Sequence, residues 1–180
     1  VFTVLRTEVE RLSALMQDLL EYGRPHSLEV EPCALADVVA RAAASTQAVA
    51  ADRRIRVVNE VPSHIVLAMD KRRLEQVFQN LIVNSIQHLN EGGSVSIDAS
   101  TVQDGGREWV STSVQDTGPG FREEDLVHVF EPFFTRRHGG TGLGLSIVAR
   151  IVDDHGGRIQ ARNRKEGGAV ITVRLPRSDK

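Results

Sequence analysis

Residues 94–120 read SVSIDASTVQDGGREWVSTSVQDTGPG. From Ser94 to Thr101, and again from Trp109 to Gln115, apolar and polar residues alternate with a period of two, as in half-buried strands. Asp104-Gly105-Gly106 between them is hairpin chemistry, because glycine accepts the left-handed backbone of a tight turn. The pair therefore reads as antiparallel. Working outward, Ile55–Asn59 and Ile65–Ala68 are two further strand-like runs. Arg158–Asn163 and Ala169–Leu175 form a second hairpin around Glu166-Gly167-Gly168. Helical spacing runs from Leu35 to about Ala51 and from Leu143 to about His155, where Gly156-Gly157 ends it. The strongest helix runs from Lys71 to about Leu89, with Asp70 as its N-cap and Leu74, Val77, Phe78, Leu81, Ile82 and Ile86 along one face. Strands and helices do not strictly alternate. The expected fold is α/β of the α+β kind: a two-layer sandwich of a mixed, mainly antiparallel sheet with helices on one face.

Upstream, residues 1–22 read as one more helix. Leu5, Val9, Leu12, Met16 and Leu19 are spaced four, three, four and three, the seam of a coiled coil or bundle. Gly23-Arg24-Pro25 ends it, since glycine caps and proline cannot continue a helix. Residues 23–33 then read as a linker, with a short edge strand around Leu28, Val30 and Pro32. The expected organisation is 1–22 helix, 23–33 linker and 34–180 globular domain. A chain that opens at Val1 inside a helix reads as a piece of something longer.

Composition removes several function classes. Cys33 is the only cysteine among 180 residues, which excludes a disulfide scaffold and a multi-cysteine zinc cluster. No run of about 18 apolar residues exists to span a membrane, and no signal segment opens the chain. The 22 basic and 24 acidic residues give a net charge of -2, so there is no electrostatic footprint for nucleic acid. Aromatics are 4%, so Val, Leu, Ile and Ala must build the core.

Four stretches carry chemistry. Asn80 and Asn84 lie one helical turn apart on an otherwise apolar helix; a carboxamide oxygen suits a hard cation such as Mg²⁺, while the plainer reading is two polar residues at the edge of the face. Asp116-Thr117-Gly118-Pro119-Gly120 ends a strand in a carboxylate that can accept from an exocyclic amine; the alternative is an ordinary Gly-Pro turn. Phe130-Glu131-Pro132-Phe133-Phe134 is followed by Arg136, Arg137 and His138. It reads as an anchored loop with a basic tip, a lid for phosphates, or simply as a hydrophobic plug. Gly140-Thr141-Gly142-Leu143-Gly144-Leu145-Ser146 opens a helix with glycines whose backbone N–H groups make an anion site. It is neither the P-loop nor the dinucleotide fingerprint.

In this order the four stretches resemble the ATP-binding domain of bacterial sensor histidine kinases, within the ATPase superfamily shared with type II topoisomerases, mismatch-repair ATPases and heat-shock chaperones. The resemblance implies a layered sandwich with three helices on one face, and residues 1–22 as the second helix of a dimerisation hairpin. It implies ATP and Mg²⁺ as ligands. Asn84 would ligate the metal, with Asn80 beside it. Asp116 would bind the adenine amine, with Gly118 and Gly120 letting the chain pass close to the base. Gly140, Thr141, Gly142, Leu143 and Gly144 would line the phosphates. Phe130 and Phe133 would anchor the lid, and Arg136 or Arg137 would reach the γ-phosphate.

Two positions depart from the family pattern. Gln87 stands where a phosphate-binding lysine is frequent, which shifts that role to Arg136, Arg137 or His138. His88 stands where an aromatic often stacks on adenine, and an imidazole can do the same. None of the histidines at 26, 64, 88, 128, 138 and 155 has the context of the family's phosphoacceptor. The implied partners are therefore a separate dimerisation and phosphoacceptor domain of the parent, itself a homodimer, and a response regulator receiver domain. No contact of this piece with nucleic acid or membrane is implied. The implied location is the cytoplasm, with the parent anchored in the inner membrane or free. The alternatives are a degenerate ATPase-like binding module and an anti-sigma-type serine kinase. Asn80, four before Asn84, replaces the glutamate base that a topoisomerase-like or chaperone-like ATPase needs.

Overall fold

Asp104 and Arg107 pair directly across Gly105-Gly106, whose φ values of 61° and 76° put both glycines in the left-handed region. A two-residue turn therefore closes the central hairpin, matching the right-handed twist of its strands. A computed structural model describes residues 27–137 and 139–177, together with Arg6, Val9, Leu12, Ser13, Met16, Leu19 and Leu20. In chain order the elements are β1 (Glu31–Ala34), α1 (Leu35–Asp52), β2 (Arg56–Asn59), β3 (Val66–Met69), α2 (Lys71–His88), β4 (Ser94–Asp104), β5 (Arg107–Asp116), a 3₁₀ turn (Glu123–Asp125), α3 (Gly144–Asp154), β6 (Arg158–Asn163) and β7 (Ala169–Pro176).

The main sheet has the order β2-β4-β5-β7-β6. Its β2–β4 pair is parallel and the rest are antiparallel, so the sheet is mixed and mainly antiparallel. Period-two alternation sorts its faces. Val95, Ile97, Val110, Val114, Ile171 and Val173 are buried in the helix-covered core. Ser96, Asp98, Ser113 and Gln115 are half-buried on the other face, where Gln115 Nε2 donates to Asp98 Oδ2 at 2.7 Å. Helix α2 packs against both α1 and α3 and lies over β4 and β5. Its Leu74, Val77, Phe78, Leu81, Ile82 and Ile86 are fully buried, and burying each contributes about 1.5–3 kcal/mol.

The expected linker strand forms elsewhere. It spans Glu31–Ala34 and pairs antiparallel with β3 in a separate two-stranded sheet, Glu31 opposite Met69. Leu35 N donates to Ile65 O at 3.0 Å, so the chain enters α1 directly beside β3, the nearest free edge. The described positions between 6 and 20 are helical, and Val9, Leu12, Met16, Leu19 and Leu20 are exposed. The expectations placed on Leu5, on Gly23-Arg24-Pro25, on His26, on His138 and on residues 178–180 lie outside the described residues.

Asp70 joins three elements. Its Oδ1 accepts from Arg73 N at 3.1 Å, capping α2, and its Oδ2 accepts from Glu29 N at 3.1 Å. Its own N–H donates to His155 Nε2 at 3.1 Å, at the end of α3. His155 Nδ1 lies 2.7 Å from Ile151 O, so the proton sits on Nδ1 and leaves Nε2 to accept. Burial raises the Asp70 carboxyl, but the N–H donors of Glu29 and Arg73, with the Arg72 charge nearby, outweigh it and hold the group below the usual range. At its other end α2 is closed by Arg53, whose guanidinium donates to Ile86 O and Leu89 O. Gly168 in the β6–β7 hairpin has φ 89°, and a Cβ there would lie 1.9 Å from Asp116 O.

Asp70→Ala should lower stability by about 1–2 kcal/mol in denaturant unfolding at neutral pH. Because the folded-state pKa is depressed, that contribution is complete above about pH 4 and is lost as pH falls through the folded value. The gap between the two proteins should therefore close in acid. Gly168→Ala should cost about 2–4 kcal/mol, from left-handed strain plus overlap with Asp116. Gly167→Ala, at φ 93° with nothing within 4 Å, should cost only the strain; equal melting temperatures for the two would refute the packing argument.

Candidate functional site

Between α2 and the start of α3 lies a cleft of about 320 Å³. One wall is the polar edge of α2, from which Asn80, Asn84, Gln87 and His88 project. The burial of Phe78, Leu81 and Ile82 turns this edge outward, since residues four apart share a helix side. The opposite wall is glycine-rich: Gly139, Gly140, Thr141, Gly142 and Gly144 line it, with Arg137 above. No side chain caps α3 at Leu143, so its first N–H groups are left for a ligand. Asn80 Nδ2 donates to Gly144 O at 3.4 Å and ties the two walls together. The Asn84 carboxamide has no hydrogen-bond partner among the described residues.

A second cleft of about 200 Å³ adjoins the first and shares Asn84, His88, Phe134, Thr135 and Leu145 with it. Gly120, Phe121 and Val129 form its far side. His88 is exposed at the mouth, with Nδ1 2.8 Å from Asn84 O. Asp116 ends β5 and is 7% exposed. Its Oδ1 accepts from Gly118 N at 2.9 Å and Ala169 N at 3.2 Å, while Oδ2 has no donor among the described residues. Neither Asp116 nor Gly118 lines a cleft wall.

Three expectations need correction. Phe133 does not anchor the lid: it is 60% exposed with φ 67°, while Phe130 and Phe121 pack on the core. The residue next to it, Phe134, faces both clefts. Gly142 packs on the Phe133 backbone so closely that a Cβ there would meet it at 2.5 Å. Leu143 does not line the phosphate wall with its side chain, which is fully buried in the core. Arg136 does not point into the main cleft. It makes a two-pronged ion pair with Asp125, Nη2 to Oδ1 at 2.8 Å and Nε to Oδ2 at 3.2 Å. Hydrogen bonding from Arg136 holds the Asp125 carboxyl below its usual range. Arg137 is the cation at the main cleft and makes no ion pair among the described residues. Val83, Phe134, Thr135, Gly139 and Leu145 are cleft residues to which sequence reasoning gave no site role, although Phe134 and Leu145 lie inside the quoted motif stretches and the others lie next to such residues.

The donor set bears on the metal. The α2 wall offers neutral carboxamides, and among the described residues no group of three or more His, Cys, Asp or Glu could hold an ion alone. Such a wall fits Mg²⁺ that arrives with phosphate oxygens and water as its other ligands. Cys33 takes no part: burial pushes its thiol up, away from the reactive thiolate. Among the described residues no helix is long and apolar enough to cross a membrane.

Residues 69–179 match the family of histidine kinase-, DNA gyrase B- and HSP90-like ATPases. The sensor histidine kinase ZraS of Salmonella typhimurium is 33% identical over 176 residues, covering 96% of this chain and 37% of that protein. The chain thus spans little more than a third of the curated relative. The catalytic domain of histidine kinase ThkA superposes with a TM-score of 0.75 at 30% identity, covering 83% of this chain and 97% of that domain. Full-length ShkA in complex with AMPPNP superposes with a TM-score of 0.82 at 28% identity, over 98% of this chain and 38% of that one. A cleft with a carboxamide wall and a glycine-rich helix start, on this sheet order, agrees with these matches: the chain belongs to the histidine kinase-, DNA gyrase B- and HSP90-like ATPase family, as the ATP-binding catalytic region of a sensor histidine kinase.

Proposed function

We propose that this chain binds ATP with Mg²⁺ in the two adjoining clefts and presents the γ-phosphate to a histidine on a dimerisation helix of its parent. The observation that supports this most is the uncapped start of α3 facing the Asn80–Asn84 edge of α2. Phosphates would take the free N–H groups of α3, and Arg137 would neutralise their outer charge. Asn84 would hold the metal, whose chemistry is to screen the phosphate oxygens. Adenine would enter the second cleft beside His88 and Phe134, and its amine would reach Asp116 Oδ2 only with a shift of the loop that carries Gly118 and Gly120, since Asp116 lines neither cleft. Asn80 would position the α3 end through its bond to Gly144 O. Phosphoryl transfer under this arrangement is mostly positioning and charge neutralisation, so the chain needs no acid or base of its own.

The catalytic unit would begin at Glu31, where β1 joins β3, rather than at residue 34. Residues 1–22 would belong to the dimerisation hairpin, whose seam carries Val9, Leu12, Met16 and Leu19. A homodimeric parent and a response regulator as phosphoryl acceptor follow from the same reading; ThkA has been seen in complex with the response regulator TrrA.

Calorimetric titration with a non-hydrolysable ATP analogue should show Mg²⁺-dependent binding. Asn84→Ala and Asp116→Asn should each weaken it about tenfold or more, the worth of a charge-assisted contact. A folded chain that binds nothing at millimolar analogue would overturn the reading in favour of a degenerate binding module. Arg137→Ala should lower affinity for the ATP analogue about tenfold while ADP affinity changes little. Arg136→Ala should leave the ratio of the two affinities unchanged, because its partner is Asp125; equal effects of the two variants would show the assignment to be wrong.

A further inference from the structure

The loop from Thr117 to Arg122 carries the glycines beside the second cleft and runs outside the sheet ladder. Its backbone groups still need partners. Asn163, the last residue of β6, supplies them at Phe121. Its Oδ1 accepts from Phe121 N at 2.7 Å, and its Nδ2 donates to Phe121 O at 2.8 Å and to Glu123 Oε1 at 3.1 Å. One carboxamide thus satisfies both backbone groups of Phe121, as a neighbouring strand residue would. Gly120 packs against it so closely that a Cβ would lie 2.7 Å from Asn163 Oδ1. The same hairpin grips the other end of the loop. Ala169 N donates to Asp116 Oδ1, Arg164 Nη1 donates to Asp116 O at 3.0 Å, and Gly168 lies against the Asp116 carbonyl.

We propose that Asn163 is a positioning residue for base recognition, clamping the Phe121 end of the loop so that the cleft wall stands at a fixed place relative to Asp116. This rests on the nucleotide reading above. The demand is for a donor and an acceptor on one planar group, which a carboxamide supplies. Aspartate keeps the acceptor but sets a carboxylate against Phe121 O and Glu123, and alanine leaves both Phe121 groups to water. With the clamp removed, Gly120 and Phe121 no longer hold the far side of the second cleft, and Asp116 loses its register with the base. The affected quantity is base selectivity, not only affinity: the wall and the carboxylate together distinguish an exocyclic amine from a carbonyl.

The test compares binding of non-hydrolysable ATP and GTP analogues, with Mg²⁺, to the unsubstituted chain, N163A and G167A. A Cβ at Gly167, in the same hairpin, would meet nothing within 4 Å, so its substitution adds hairpin strain without a new contact at the loop. N163A should lose about tenfold in adenine-nucleotide affinity and narrow the ATP-to-GTP ratio by a similar factor. G167A should leave the ratio unchanged. An unsubstituted chain that binds neither analogue overturns the nucleotide reading itself. A chain that binds, with a folded N163A of unaltered ratio or a G167A that narrows it equally, overturns the positioning role. Should N163A not fold, N163D is read in the same way. Hydrogen exchange of the Phe121 amide in the unsubstituted chain is a further arm. The clamp requires protection comparable to strand amides, and exchange at an unprotected rate overturns it.

Discussion

The burial of one face of α2 is the constraint on which the site depends. Phe78, Leu81 and Ile82 have no exposure, packed between flanking helices and the sheet, and this fixes the rotation of the helix about its axis. Asn80 and Asn84 then have one direction in which to point, toward the glycines at the start of α3. A rotation that relieved any of these residues would expose large apolar side chains at about 1.5–3 kcal/mol each. The carboxamide edge is therefore held by packing, with only the 3.4 Å bond from Asn80 to Gly144 O added across the cleft.

The other half of the site is held by hydrogen bonds. Loop 117–122 buries little apolar surface apart from Phe121, and it takes its shape from the terminal hairpin through Asn163, Arg164, Gly168 and Ala169. The lid is built in a third way, by charge and rings. Arg136 bridges to Asp125 and lies over Phe134, whose ring also meets His128 at 5.9 Å. A packed wall, a hydrogen-bonded loop and an ion-paired lid differ in how readily they move. The Arg136–Asp125 pair is two-pronged and Asp125 is buried, so it holds the lid more firmly than an exposed pair would.

Asp70 adds a mechanical link. It receives Glu29 of the linker, begins α2 and touches His155 at the far end of α3. The linker and both helices that border the cleft thus meet at one residue: its carboxylate takes the linker and the start of α2, and its backbone N–H takes the end of α3.

By itself the sequence determined the elements, because a period of two and a period near 3.6 are local properties of a chain. It also determined the mixed, mainly antiparallel sheet, through glycine pairs that only tight turns explain, and the four motif stretches that carry the family resemblance. Tertiary structure alone decided the pairing of β1 with β3, since a short strand joins whichever edge is nearest in space. It decided that Phe134 rather than Phe133 faces the clefts, since Phe133 takes a left-handed backbone at φ 67° and is left exposed. It decided between Arg136 and Arg137, adjacent and chemically identical, by giving one of them Asp125 as a partner. And it brought Asn163 against Phe121, 42 residues apart, where no spacing rule reaches because the contact depends on how two hairpins stack in one sheet.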